Sequence, residues 1–222
     1  MDSKVLLVDK KVLVVEGRTE VFAIPYLMEA NGVIWGKGKN NTAVRIKDYD
    51  GYENINKPDA IATELLASGL TALGIIIDAD DEPKERWQSI RNTCQNSFTG
   101  FDLPIDLPEN GLICDSPNEV KFGIWIMPDN KMSGMLETFL AYMIPEENEA
   151  LWQFAQESVK EAKTKGANFT EFQIDKANIY TWLAWQNPSG RQLHQAVMEK
   201  ILDPKHPRAQ KFVTWFKDLY GL

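Results

Sequence analysis

Apolar residues along the chain fall into two patterns, short unbroken runs and spacings of three to four. Val12-Leu13-Val14-Val15 and Leu73-Gly74-Ile75-Ile76-Ile77 are runs of the first kind, rich in β-branched residues and each followed by an acid. Such runs predict strands buried on both faces, as in parallel sheets. Phe122-Gly123-Ile124-Trp125-Ile126-Met127 predicts a third, joined to 111–114 across Asp115-Ser116-Pro117-Asn118 as a hairpin or a pair of sheet strands. Residues 43–47 alternate apolar with basic, which predicts a half-exposed strand, and 5–9 predict an extra edge strand. Helical spacing covers 18–30, ending at Asn31-Gly32, and 58–67, closed by Ser68-Gly69. Asp81-Glu82-Pro83 predicts a helix start, with the helix running to about residue 95. From 145 onward no strand pattern remains, and helices are predicted at 146–165, 175–186, 190–202 and 207–219. The expected class is α/β: a mostly parallel sheet flanked by helices, with a C-terminal all-helical extension. The expected division is an α/β domain over 1–144 and a helical subdomain over 145–222 packed on it.

Composition narrows the chemistry more than the fold. With 222 residues, 44% hydrophobic and 25% charged, the chain can bury a sizeable core as one large domain or a domain with an appended subdomain. No segment approaches the length of a membrane span, and the N-terminal apolar run is too short for a signal peptide. The two cysteines, Cys94 and Cys114, have no metal-ligand spacing and point to packed thiols in a reducing cytoplasm. The two histidines, His194 and His206, both lie near the C-terminus, which argues against a histidine-ligated zinc or a Ser-His-Asp triad. Carboxylates with a hard, oxygen-loving cation remain. A net charge of −8 gives no basic footprint for gripping long nucleic acid, although a divalent ion can bridge phosphate to carboxylate.

Glu16 follows the first buried strand, and Asp78 and Asp80 follow the second. In a continuing strand, residues two apart point the same way, and two such carboxylates need a cation or a shared proton between them. A right-handed crossover brings both strand ends side by side, at the edge where open α/β sheets place ligands. Asp80 and Asp81 also read as N-caps of the following helix. Glu20, one turn after Glu16, shares its helix face. Glu137 sits near the start of the helix opened by Ser133-Gly134. It is either a favourable charge there or a ligand carried in, like Asp129 and Lys131, by the loop after the third strand. Gly36-Lys37-Gly38-Lys39 reads as a solvated turn or a phosphate-touching loop. Trp152, Trp182, Trp185, Phe212 and Trp215 read as core rather than base-stacking platforms. Lys205, His206, Arg208, Lys211 and Lys217 form a solvated face or a modest phosphate surface.

Val15-Glu16-Gly17 with Asp78-Ala79-Asp80 resembles the Toprim domain of topoisomerases, primases and the overcoming-lysogenization-defect nucleases. The likeness covers roughly 10–140. Met127-Pro128-Asp129-Asn130 with Gly134-Met135-Leu136-Glu137 is most similar to small stand-alone Toprim proteins of no assigned function. The resemblance implies a Rossmann-like Toprim sheet and a Mg²⁺- or Mn²⁺-dependent, nuclease-like protein acting on phosphodiester bonds of DNA or RNA. It also implies Glu16, Asp78 and Asp80 as ligands and catalytic carboxylates, with Glu137 as the further acid that helps hold a second metal. Glu20 is an additional candidate ligand, and Lys131, then Arg18, the assisting cation. The chain lacks a topoisomerase tyrosine in a recognisable context and an ATPase domain, so cleavage is expected to involve a protein partner or a homo-oligomer. Two other readings stand: a haloacid-dehalogenase-type phosphatase with Asp78 as nucleophile and Asp80 as acid/base, and a non-catalytic metal-binding interaction module.

Overall fold

A computed structural model describes residues 10–36, 38 and 42–222. The expected edge strand at 5–9 and the lysines Lys37 and Lys39 lie outside them. The first expected strand and helix are present as β1 (Lys11–Val15) and α1 (Arg18–Ala30). The chain continues through β2 (Arg45–Asp48), α2 (Tyr52–Ile55), α3 (Pro58–Leu65), β3 (Ala72–Asp78) and α4 (Pro83–Ser97). Next come β4 (Leu112–Asp115), β5 (Lys121–Met127) and α5 (Leu136–Ala141). The remaining helices are α6 (Glu149–Thr164), α7 (Ile174–Ala184), α8 (Leu193–Met198) and α9 (Gln210–Tyr220). Helix α8 is shorter than the periodicity predicts, because Gly190 takes a left-handed φ before it and Lys200 another just after it.

The strands form a five-stranded sheet in the order β2-β1-β3-β5-β4, parallel except for β4, which pairs antiparallel with β5. This is the mostly parallel α/β sheet with a C-terminal helical region that the hydrophobic pattern predicts, and its arrangement is Rossmann-like. Alternation along each strand divides the core into two layers. Val12, Val14, Leu73, Ile75, Ile77, Ile124 and Ile126 face a layer that includes residues of α3 and α4. Leu13, Val15, Ile76, Trp125 and Met127 face the other, built from α1, α5 and the C-terminal helices.

Helix α9 packs directly on the sheet. Gly74 and Gly123 are register partners on neighbouring strands, β3 and β5. A Cβ at either would collide with Leu219, and at Gly74 also with the Tyr220 hydroxyl. The missing side chains therefore let α9 seat on the sheet, where Tyr220 Oη donates 2.7 Å to the Val12 carbonyl. Phe212, Trp215 and Trp182 are fully buried, as expected of core aromatics, whereas Trp185 is exposed and stacks on Phe154.

Candidate metal centre

Strands β1 and β3 are adjacent and parallel, while their connections leave in opposite directions, β1 by way of α1 to the edge strand β2. That reversal opens a crevice at the carboxyl ends of the strands, where doubly wound sheets bind ligands. Glu16 stands one residue past β1, and Asp78 is the last residue of β3. The two are tied directly: Glu16 Oε1 accepts the backbone N–H of Asp78 at 2.8 Å.

Beyond Asp78 the chain does not continue as a strand, contrary to the expectation behind a shared side for Asp78 and Asp80. Asp80 adopts a left-handed φ of 51°. Its backbone forms an isolated antiparallel bridge with Gly134, N–H to carbonyl at 3.0 Å one way and 2.7 Å the other. Gly134 has a φ of 134°, and a Cβ there would strike Thr138, so glycine is required for the bridge. The bridge lays 134–137 against the end of β3. Asp78 Oδ1 accordingly accepts the Leu136 N–H at 3.0 Å, and Glu137 is buried beside it with Lys176 Nζ 3.8 Å from its carboxylate. The N-cap reading of Asp80 and Asp81 fails: Glu82 holds the cap position of α4 with no side-chain cap bond, and the Asp80 carboxylate pairs with Arg86.

Electrostatics bind the acids into one group. Burial pushes the Asp78 carboxyl well above the usual carboxylate range, and the charges of Glu16, Glu20, Glu137 and Asp80 push it further. Glu20, in the first turn of α1, is raised to about 8, first by burial and then by Glu137, Glu16 and Asp48, against a bond to its own backbone N–H. Burial also raises Glu16, offset by the Asp78 N–H and the Arg86 charge.

Glu16, Glu20, Asp78, Asp80 and Glu137 are thus neighbours. Asp129, also singled out from the sequence, instead accepts the Tyr142 hydroxyl at 3.2 Å and the backbone N–H groups of Lys131 and Met132. Lys131 is placed elsewhere, its Nζ paired with exposed Glu109, and Arg18 is exposed at the start of α1. Two members escaped the sequence reading. Asp48 ends β2 in register with Val15, and the rule of an acid at a parallel strand's end could have found it. Arg86 lies in an ordinary polar helical stretch that gives no signal.

Clustered buried carboxylates are stable at neutral pH only if they keep protons or gain a cation, and a set of charged oxygens suits a hard divalent ion. One oxygen each of Glu16 and Asp78 is oriented by a backbone N–H, the kind of support that fixes metal ligands. Among the described residues no three histidine, cysteine or acidic side chains already stand in ion-binding geometry. The donor set fits a hard divalent ion in type and charge.

A family model described as protein of unknown function (DUF3226) matches residues 10–221. No curated protein matches the chain. Among solved structures, the chain is similar to the C-terminal region of the OLD protein of Xanthomonas campestris pv. campestris, at 12% identity over 96% of both chains and a TM-score of 0.41.

Proposed function

The chain belongs to the DUF3226 family of proteins of unknown function, and from its carboxylate centre we propose a Toprim-type, divalent-metal-dependent protein that cleaves phosphodiester bonds of nucleic acid. The observation that carries this reading is the meeting of Glu16 and Asp78 at the ends of adjacent parallel strands, tied by the 2.8 Å bond from the Asp78 N–H to Glu16 Oε1. Burial and the charges of Glu16, Glu20, Glu137 and Asp80 raise the Asp78 carboxyl. Glu16 and Asp78 would hold the ion from adjacent strand ends, with Asp80 and Glu137 approaching from the bridged loop and Glu20 from α1. Mg²⁺ or Mn²⁺ bound there would activate a water and stabilise charge developing on the scissile phosphate and the leaving oxygen. Asp78 is oriented by the Leu136 N–H, which leaves its second oxygen for the ion.

The reading is tested by incubating the purified chain with DNA and RNA in Mn²⁺ or in EDTA. Cleavage should require the metal, vanish in Asp78→Asn and persist in Asp102→Asn, since Asp102 is an exposed loop residue. Cleavage that survives Asp78→Asn would assign the activity to a different site.

A further inference from the structure

We propose that Arg86 is the exchange cation of the centre: it neutralises Asp80 while no metal is bound, yields Asp80 to the divalent ion, and then holds a phosphate oxygen of the substrate. This rests on the metal-dependent reading above and assigns the residue that touches the phosphate. The Arg86 guanidinium is ion-paired with Asp80 and lies over the Tyr52 ring, its Cζ 3.8 Å from the centroid. Its side chain is 15% exposed against 43% for Asp80, so the arginine is the fixed partner and the short aspartate the one free to turn. An aromatic ring under a guanidinium steadies it without using its in-plane N–H donors.

Asp80 accepts from Nη2 of Arg86 alone, which leaves most of the five-donor fork unspent on this partner. The fork borders a cavity whose other polar lining residues are Asp80, Asp81, Glu82, Glu85, Tyr52 and Ser89. In such a setting Arg86 supplies the positive charge, and its planar fork matches phosphate in a bidentate way that a lysine ammonium cannot. Lys131 is engaged away from the centre, with Glu109, and Lys176 stands beside Glu137 rather than beside Asp80 as an ion pair. Arg86 is also close enough to Glu16 for its charge to favour that carboxylate's ionised form. One cation thus serves the acids that a divalent ion would otherwise neutralise, so metal and arginine compete for Asp80.

Calorimetric titration of the full chain with Mn²⁺ alone, and of the Mn²⁺-loaded chain with thymidine 5′-phosphate, separates the two steps. Arg86→Gln, with its fold checked by circular dichroism, should bind Mn²⁺ about tenfold more tightly, because no internal cation has to be displaced. Loaded with Mn²⁺, it should bind the nucleotide about tenfold more weakly, having lost a charged bidentate donor. Arg86→Lys keeps the charge, so its Mn²⁺ affinity should stay within about twofold of wild type while nucleotide affinity still drops. Unchanged or weaker Mn²⁺ binding by folded Arg86→Gln overturns the exchange, and undiminished nucleotide binding by either variant overturns the phosphate step. If the wild type itself binds no Mn²⁺, the metal-dependent reading goes with it, which distinguishes that failure from a failure of Arg86 alone.

Discussion

Glu20 shows how a single carboxylate couples this centre to pH. In the unfolded chain it titrates near its ordinary value of 4.5, and burial and its acidic neighbours raise it to about 8 in the fold. Between those values the native state binds more protons than the unfolded one, so metal-free stability must decline as pH rises through that window. The slope is about 1.4 kcal/mol per pH unit for each proton retained. Melting temperatures in EDTA from pH 5 to 8 should therefore decline for wild type and decline less for Glu20→Gln, which is neutral throughout. Parallel curves for the two proteins would show that Glu20 does not hold its proton. At this scale Glu16 and Asp78 are legible in the sequence because each terminates an apolar β-branched run. Asp80 is legible as an acid but not in its role, since nothing local announces a left-handed residue bridged to Gly134. Arg86 matters only because folding turns the first turn of α4 toward Asp80.

Among the elements, α9 makes the clearest case for packing dictated by absent side chains. Leu219 fills the space above Gly123, and a Cβ there would meet Leu219 Cδ2 at 2.8 Å and Cδ1 at 3.0 Å. Gly123→Ala should thus overpack the seat and cost about 1–3 kcal/mol. Leu219→Ala should cost about 2–5 kcal/mol by leaving a cavity. Because the added methyl partly fills that cavity, the double variant should cost less than the sum, a coupling on the order of 1 kcal/mol in denaturant unfolding. Strict additivity would mean that the helix shifts away rather than clashing. The strands were the most readable elements, since runs buried on both faces leave little ambiguity. The helices were less so, for three to four spacing marks a face but not an end. The pattern placed a helix over 190–202, whereas α8 covers Leu193–Met198, and the loop before α5 is held by the Asp80–Gly134 bridge rather than by helical propensity.

At the scale of the molecule, one hydrophobic cluster joins β1, β3 and β5 to the C-terminal helices, from Leu13 and Trp125 through Trp182 to Tyr220. The acids stand at the edge of that same sheet, so an ion bound there should stabilise the whole cooperative unit and not a local loop. In the metal-free state Glu16, Glu20, Asp78, Asp80 and Glu137 oppose one another within the fold, while unfolding separates them. A divalent ion binds this gathered set and barely the dispersed one, which adds about 1.4 kcal/mol of stability at roughly ten times its dissociation constant. For a chain of this length that is a rise of about 3–6 °C in melting temperature. Asp78→Asn removes a carboxyl that burial and four acidic neighbours raise, so it should be as stable as wild type or slightly more so in EDTA at pH 8. It should also be nearly indifferent to added Mn²⁺. Asp102→Asn, at an exposed loop position that ends no strand, should keep the full metal response. A wild-type melting curve unmoved by millimolar Mn²⁺ would remove the ion from the centre and leave its acids to be neutralised by protons, Arg86 and Lys176. If Asp78→Asn instead loses stability in EDTA, the Asp78 carboxylate is there to hold the Leu136 N–H and the start of α5.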